Sequence, residues 1–226
     1  MTARGLFVTG TDTGVGKTRV AVALIHALRA AGLRVAAMKP VSAGNAPGGL
    51  NEDVAALLQA TNVPADVRDV NPYAFEPAIA PHLAAQQAGA RIELAVIAEA
   101  YARLAARADA VVVEGAGGWR VPLNEREDMA DLAQRLALPV VLVVGLRLGC
   151  LNHALLTAES IARRQVPWAG WVGNHIDPAM AQAAANLEAL CARLPGPCLG
   201  VQAFSADPAF SVDASPWLTL PQELIS

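Results

Sequence analysis

The chain has 226 residues, of which 54% are hydrophobic and 16% are charged, so it carries enough apolar side chains to build a sizeable core. A formal net charge of −3 provides none of the basic excess that attracts nucleic acid or an anionic membrane, and we expect neither as a partner. No apolar run approaches the ~20 residues that cross a bilayer, and three cysteines without metal-ligand spacing favour reduced thiols in the cytoplasm.

Short apolar runs alternate with longer helical patterns along the chain. The runs predict strands, in order, at 6–9, 34–39, 110–114, 140–144, 168–174 and 198–201. The helical patterns predict helices at 17–31, 52–60, 94–107, 129–136, 151–164 and 179–194. The proline-rich stretch 63–87 is expected to form a shaped loop rather than a linker.

Two of the predicted strands, at 110–114 and 140–144, contain continuous runs of valine and leucine rather than alternating patterns. Such strands are buried on both faces, as strands in parallel sheets are. The alternation of strands and helices therefore predicts an α/β fold. We expect one doubly wound domain over 1–226, with a mainly parallel sheet and helices on both faces. Ligands of such folds bind beyond the carboxyl ends of the strands.

The first predicted strand leads into residues 10–18, Gly-Thr-Asp-Thr-Gly-Val-Gly-Lys-Thr, directly before a helix. Loop N–H groups and a helix N-terminus converge on an anion in this arrangement. Lys17 supplies a charge for the outer phosphates, and the Thr18 hydroxyl suits Mg²⁺. Thr11 stands where the first glycine of the usual motif belongs, and Gly10 precedes Gly16 by six positions. The context nevertheless predicts phosphate binding and a P-loop NTPase-like fold.

Glycine-rich or polar segments also follow the later strands. Because parallel strands end at one edge of a sheet, these segments are expected to form one site. Glu114 is expected to hold Mg²⁺ opposite Thr18, since the glycines after it permit close approach of a ligand. For Asp53, a metal role and a favourable charge at a helix start both stay open. For Lys39, a site role and a surface lysine both stay open.

Other chemistries find no support in the sequence. The four histidines, His26, His82, His153 and His175, lack the spacing of a zinc site. No Gly-x-Ser-x-Gly segment is present for an esterase-like triad. Cys150 follows a glycine at a predicted helix start, but a packed thiol is its expected role.

Five segments together resemble the dethiobiotin synthetase family. They are 10–18, Lys-Pro-Val-Ser-Ala-Gly at 39–44, Val-Glu-Gly-Ala-Gly-Gly-Trp at 113–119, Leu-Gly-Cys-Leu-Asn-His-Ala at 148–154 and Ala-Gly-Trp-Val-Gly-Asn at 169–174. The match is collinear from about residue 6 to residue 174, and the unusual glycine offset is itself a family trait. The resemblance implies a homodimeric enzyme that uses ATP and Mg²⁺ to join CO₂ to 7,8-diaminononanoate and close the ring of dethiobiotin.

The resemblance also implies roles for the matching positions. Lys17 and Lys39 are implied as catalytic, and Thr18, Asp53 and Glu114 as Mg²⁺ ligands. ATP contacts are implied at Thr13, Gly14, Val15, Gly16, Lys17, Thr18, Arg19, Asp53, Glu114, Gly115, Ala116, Gly117, Asn174, His175, Ala203, Phe204 and Ser205, with Asn174 on adenine. Substrate contacts are implied at Ser42 and Ala43 and, from the second subunit, at a loop for the substrate carboxylate formed by Gly149, Cys150, Leu151, Asn152 and His153.

Three positions depart from the family pattern. Position 14 is Gly where some members carry an acid, and Ala43 occupies a place that often bears a hydroxyl, with Ser42 one residue earlier. The segment 200–204 lacks the usual proline. These departures leave open whether Ser42 replaces the missing hydroxyl and which contacts residues 200–213 make.

Two alternatives remain beside the ligase. A P-loop ATPase switch of the partition or cell-division type prefers a lysine early in its loop, where this chain has Asp12. The synthetase domain of a cobyrinate-type amide ligase would need a glutaminase domain, for which 226 residues leave no room.

Overall fold

A six-stranded sheet, parallel throughout, forms the centre of the computed structural model, which describes residues 4–45, 49–205 and 217–221. The strands are β1 Arg4–Gly10, β2 Val35–Met38, β3 Val41–Ala43, β4 Tyr73–Phe75, β5 Ala110–Glu114, β6 Val140–Leu146, β7 Trp168–His175 and β8 Cys198–Gln202. The helices are α1 Lys17–Ala30, α2 Glu52–Ala60, α3 Val67–Val70, α4 Pro81–Gln87, α5 Leu94–Ala105, α6 Met129–Leu136, α7 Cys150–Arg163 and α8 Ala183–Arg193.

The strand order of the large sheet is β2-β5-β1-β6-β7-β8, and β3 and β4 form a separate parallel pair. β1 lies between β5 and β6, with Val8 opposite Glu114 and Gly10 opposite Val143. The order reverses on either side of β1, so the crevice at its carboxyl end is the expected ligand position of a doubly wound sheet. The predicted fold class is confirmed.

Each face of the sheet is covered by its own helices. Leu6 and Val8 pack with residues of α1 and α2 in one apolar cluster, whereas Phe7 points the other way, into a cluster with α5 and α6. Residues of β6 and β7, among them Leu142, pack with α7 and α8 on the face opposite α1. Because successive side chains of a strand alternate between faces, apolar runs such as Val140–Leu146 serve both layers at once.

Three parts of the predicted secondary structure are wrong. The stretch 63–87, expected to be a loop, contains α3, β4 and α4, and 41–43, also left outside the strands, forms β3. Pro81 is the first residue of α4, where a missing N–H costs nothing and the fixed φ suits a helix. The last helix begins at Ala183, not at 179, because Gln182 adopts a left-handed conformation. Within the described residues, no helix combines the length and apolarity needed to cross a bilayer.

Candidate active site

The loop between β1 and α1 forms an anion cradle. Gly14 and Gly16 have positive φ values of 72° and 88°, which glycine adopts without strain. Gly16 is the N-cap of α1 and makes no side-chain cap, so the first N–H groups of the helix remain available to a phosphate. An ideal Cβ on Gly16 would lie 2.1 Å from Nδ2 of Asn174, so no larger residue fits there. Asn174 in turn donates from Nδ2 to the carbonyl of Val15 at 2.8 Å.

Lys17 begins α1 and points back across the cradle, where its Nζ donates to the carbonyl of Asp12 at 3.0 Å. Burial, and then the nearby ammonium of Lys39, lower the pKa of Lys17 to about 8. An anion in the loop would oppose both effects and favour the charged form. Lys17 is therefore arranged as a phosphate ligand.

Four side chains from distant parts of the chain form a polar cluster beside the cradle, in which Thr18, Lys39 and Glu114 are buried and Asp53 is partly exposed. The Thr18 hydroxyl lies 2.7 Å from Oδ1 of Asp53 and 2.9 Å from Oε1 of Glu114. Lys39 Nζ lies 2.8 Å from Oδ2 of Asp53 and 2.5 Å from Oε1 of Glu114. Lys39 is only 5% exposed, so the surface-lysine interpretation is wrong. Asp53 lies in the first turn of α2 and also in this cluster, whereas Asn51 caps the helix.

Burial and the charges of this cluster shift the pKa values of its three ionisable members, Lys39, Asp53 and Glu114. Burial alone would lower the pKa of Lys39, but the carboxylates of Glu114 and Asp53 outweigh it and raise the pKa. Lys39 likewise outweighs the burial of Asp53 and lowers the pKa of that carboxyl. Glu114 is fully buried, and burial raises its pKa. Its Oε2 has no hydrogen-bond partner among the described residues, which leaves one carboxylate oxygen for a cation.

The donor set fits Mg²⁺. Thr18, Asp53 and Glu114 supply one hydroxyl and two carboxylates, and Mg²⁺ typically combines one or two carboxylates with substrate phosphates and water. Among the described residues, no group of three or more His, Cys, Asp or Glu side chains forms a self-sufficient metal site. A cation held by these three side chains would complete its coordination with phosphate oxygens or water.

A cavity of about 780 Å³ joins the cradle, the polar cluster and β3. The predicted residues that line it are Thr13, Gly14, Gly16, Lys17, Thr18, Arg19, Lys39, Ser42, Ala43, Asp53, Glu114, Ala116 and Gly117. Val15 and Gly115 lie behind the lining: Val15 is buried in the α1 cluster, and Gly115 lies against Phe7 and Met129. The cavity also reaches Asn51, the segment 78–81 and Val121. Ala80 and Pro81 belong to a further segment, Ala-Pro-His at 80–82, that resembles the family, whereas no motif indicates Asn51 or Val121.

The residues predicted to contact the nucleobase lie farther along the same edge of the sheet, next to the phosphate loop. Asn174 is 5% exposed, near the end of β7, and pairs in register with Gln202, the last residue of β8. Ala203, Phe204 and Ser205 follow directly, and Phe204 is 45% exposed. Oε1 of Gln202 is buried without a partner among the described residues, an acceptor that sequence reasoning missed. Residues 206–213 of the segment left open lie outside the described residues.

Ser42 and Ala43 both line the cavity, but the Ser42 hydroxyl is already engaged. It lies 2.9 Å from Oδ1 of Asn71 and 3.1 Å from Oδ1 of Asn45, and Ser42 is 2% exposed. Asn71 donates from Nδ2 to the carbonyls of Lys39 at 2.6 Å and Tyr73 at 3.2 Å. Ser42 therefore supports the backbone that carries Lys39. Sequence reasoning missed Asn71 as a site residue.

The predicted carboxylate loop, Gly149, Cys150, Leu151, Asn152 and His153, is the start of α7. Gly149 is the N-cap, with a φ of 94° and no side-chain cap; the N–H of Cys150 bonds to the carbonyl of Arg147 at 3.0 Å, whereas the N–H groups of Leu151 and Asn152 are open to an anion. Asn152 and His153 are exposed, and none of the five residues lines the cavity of the same chain.

This geometry defines a class: a P-loop nucleotide-binding protein of the doubly wound α/β type. A family model described as an AAA domain matches residues 4–202. The chain is 54% identical over 198 residues to the ATP-dependent dethiobiotin synthetase BioD of Nitrosospira multiformis, covering 88% of this chain and 87% of the relative. It is 56% identical over 198 residues to the protein of that name from Pseudomonas paraeruginosa, covering 86% and 87%. The chain belongs to the dethiobiotin synthetase family and is an ATP-dependent ligase.

Solved structures with the same fold include cell-division proteins. The MinC:MinD complex of Aquifex aeolicus has a TM-score of 0.59 at 17% identity and covers 91% of this chain and 83% of that chain. The septum site-determining protein MinD of Pyrococcus horikoshii, complexed with Mg-ADP, has a TM-score of 0.55 at 17% identity and covers 91% and 82%. Similarity at this identity shows the fold alone and gives the ATPase-switch alternative no further support.

Proposed function

We propose that the chain catalyses the ATP- and Mg²⁺-dependent carboxylation and ring closure of 7,8-diaminononanoate with CO₂, giving dethiobiotin, ADP and phosphate. The observation that carries the proposal is the polar cluster of Lys39, Glu114, Asp53 and Thr18. This cluster lines the same cavity as the phosphate cradle and the β3 residue Ser42. A phosphoryl donor and a carbamate can therefore lie next to each other in this cavity, beside the buried ammonium of Lys39.

The chemistry needs positioning and charge neutralisation rather than a covalent enzyme nucleophile. A neutral amine of the substrate adds to CO₂ and forms a carbamate, which is a poor electrophile. The carbamate oxygen takes the γ-phosphoryl group of ATP, and the second amine then attacks the mixed anhydride, closes the cyclic urea and releases phosphate. Lys17, Lys39 and the loop N–H groups stabilise the negative charge that develops on the phosphoryl oxygens.

We assign Thr18, Asp53 and Glu114 as the residues that would hold Mg²⁺, on the strength of their converging oxygens and the unpartnered Oε2 of Glu114. The ion, when bound, supplies positive charge to the phosphate oxygens. Lys39 lies close to both carboxylates and offsets part of their negative charge without a metal. Asn174, His175 and the segment 203–205 are the residues we assign to the nucleobase.

We further propose a homodimer in which the start of α7 serves the partner's site. Leu148, directly before Gly149, is 93% exposed, and Leu156 on α7 is 58% exposed. Large apolar side chains exposed this fully suit an interface, and a twofold interface gives both chains the same role. The free N–H groups at the start of α7 would then bind the substrate carboxylate across the interface. The net charge of −3 and the free thiols support a cytoplasmic enzyme without nucleic-acid or membrane partners.

The decisive assay follows labelled carbon from bicarbonate into the product. The protein is incubated with MgATP, 7,8-diaminononanoate and labelled bicarbonate, and acid-stable label is expected in dethiobiotin together with ADP. Omitting the diamine should abolish both products. ADP release that does not need the diamine, without acid-stable label, would rule out the ligase and favour an ATPase switch.

A further inference from the structure

Thr11 and Asp12 of the phosphate loop bond to residues at the end of β6 and in the turn after it. Thr11 donates its N–H to the carbonyl of Val143 at 3.0 Å, and Gly145 donates its N–H to the Thr11 hydroxyl at 3.4 Å. Beyond these bonds, Nη2 of Arg147 lies 2.6 Å from Oδ2 of Asp12. The ion pair is thus the outermost of three successive contacts between the two segments.

Asp12 connects this ion pair to the groups that bind phosphate. Its Oδ1 accepts a hydrogen bond from the N–H of Thr13 at 2.7 Å, and its carbonyl accepts one from Lys17 Nζ at 3.0 Å. A polyphosphate in the cradle competes for these same donors. Nucleotide binding therefore alters the contacts that fix Asp12.

Arg147 connects the pair to the start of α7. It follows the last residue of β6, and its own carbonyl accepts the N–H of Cys150, the first residue of the helix, at 3.0 Å. A displacement of Arg147 therefore moves the turn that presents the first N–H groups of α7. These N–H groups are the ones we assign to the substrate carboxylate, so this step rests on the proposed function.

We propose that the Asp12–Arg147 ion pair couples the two anion sites of the enzyme: nucleotide in the phosphate loop positions the start of α7 for the carboxylate of the diamine. Arg147 and Asp12 are positioning residues in this role. Arg147 also neutralises a carboxylate that would otherwise repel the triphosphate. Because both side chains are close to half exposed, at 44% and 46%, the effect on affinity is about two- to five-fold.

The test compares the binding of the diamine with and without bound nucleotide. The dissociation constant of 7,8-diaminononanoate is measured by calorimetry without nucleotide and with a saturating non-hydrolysable ATP analogue and Mg²⁺. The ratio of the two constants is the coupling factor, which is expected to be about two to five for the unmodified protein. Saturating nucleotide occupies the phosphate loops of both chains of a dimer. The ratio therefore reports the effect of the Asp12–Arg147 ion pair on diamine binding, whether α7 contributes to the site of its own chain or to that of its partner.

Arg147→Gln and Asp12→Asn should each bring the coupling factor to about one, and the double variant should change it no further. Arg147→Lys, which keeps the charge, should restore part of it. Arg147→Gln should also weaken analogue binding more than Asp12→Asn does, because it leaves the acid unneutralised. The matched control is Arg34→Gln: Arg34 pairs with Asp109 at 2.8 Å, beyond the amino-terminal ends of β2 and β5, and its loss should leave the factor unchanged.

A coupling factor of one in the unmodified protein, or a factor that Arg147→Gln leaves intact, would overturn the inference while leaving the ligase activity standing. An unmodified protein that binds the analogue but not the diamine would instead refute the proposed function, and the inference with it. Urea unfolding of each variant establishes that the comparison is made between folded proteins.

Discussion

At the scale of single residues, the ammonium of Lys39 pairs with two carboxylates while the residue is almost completely buried. Lys39→Met would leave the buried Glu114 without its cation. We expect the ligand-free variant to lose about 3–5 kcal/mol of unfolding free energy, as broken buried ion pairs do. Turnover should fall by about 10²-fold or more, the scale of removing one preorganised charge. Urea unfolding and the labelled-bicarbonate assay measure the two effects.

The double variant Lys39→Met/Glu114→Gln separates these effects. With both charges gone, much of the lost unfolding free energy should return, whereas turnover should stay low because neither the ammonium nor the carboxylate is present. A double variant no more stable than Lys39→Met would contradict the electrostatic explanation. Near-normal turnover in either variant would remove Lys39 from the catalytic machinery.

Ser42 and Ala43 offer a second comparison at the same scale. The Ser42 hydroxyl bonds to Asn71, which holds the Lys39 carbonyl. Ser42→Ala should therefore cost about 1–2 kcal/mol of unfolding free energy, the range for a buried partner left unsatisfied. Ala43→Ser adds a hydroxyl at a position that lines the cavity, and should lower the KM for the diamine about three-fold, the value of one added hydrogen bond. A KM that rises only for Ser42→Ala, without loss of stability, would make Ser42 the substrate contact instead.

Among the elements, α6 shows how local sequence can determine a helix end. Asp128 accepts hydrogen bonds from the N–H groups of Ala130 at 2.9 Å and Asp131 at 3.0 Å, and Asp131 accepts one from the N–H of Asp128 at 2.8 Å. Arg164, which directly follows α7, pairs with Asp131. Burial would raise the pKa of Asp131, but these hydrogen bonds and Arg164 outweigh it and lower the pKa below 3.8. The carboxyl of Asp131, which takes part in the N-terminal cap of α6, therefore connects α6 to the end of α7 through a titratable group.

The variant Asp131→Asn tests this connection between α6 and the end of α7. A carboxyl whose pKa is lowered by folding stabilises the protein above its unfolded pKa, and this contribution is lost as the pH falls through the folded value. At pH 7 the variant should lose about 1 kcal/mol of unfolding free energy, a typical cap contribution. Below about pH 4 the difference from the unmodified protein should shrink. Glu159→Gln, which removes an exposed carboxylate on α7, is the control and should show no such convergence in denaturant titrations at both pH values.

The same elements explain what the sequence could and could not predict. α2, β5 and α6 have the predicted bounds, since the capping residues Asn51 and Asp128 directly precede the two helices and the apolar run of β5 is local. The proline-rich pattern predicts a loop where α4 forms, because proline breaks a helix interior but can begin a helix, as Pro81 does. The link from Ser42 to Asn71 spans 29 residues and depends on the pairing of β3 with β4, which no local pattern indicates. The burial of Lys39 likewise depends on residues far away along the chain.

At the scale of the whole molecule, the carboxyl ends of the parallel strands meet at one edge, which is why segments scattered from 10 to 205 can serve one reaction. The start of α7 also lies at this edge, but it does not line the cavity of its own chain. In the proposed homodimer, the start of α7 would serve the cavity of the partner chain, and the exposed Leu148 beside it is suited to such a contact.

Subunit complementation decides whether the two chains share each site. Lys39→Met and Asn152→Ala are expected to be disabling when each is made alone, and both variants are first shown to fold. In a mixed dimer with α7 acting on the partner's site, one site contains only unmodified residues and the other carries both changes. Random mixing of equal amounts makes about half of the dimers mixed, so about a quarter of the unmodified activity should return after co-refolding. If α7 acted within its own chain, every site would keep one defect and mixing would restore nothing, and the shared-site proposal would fail.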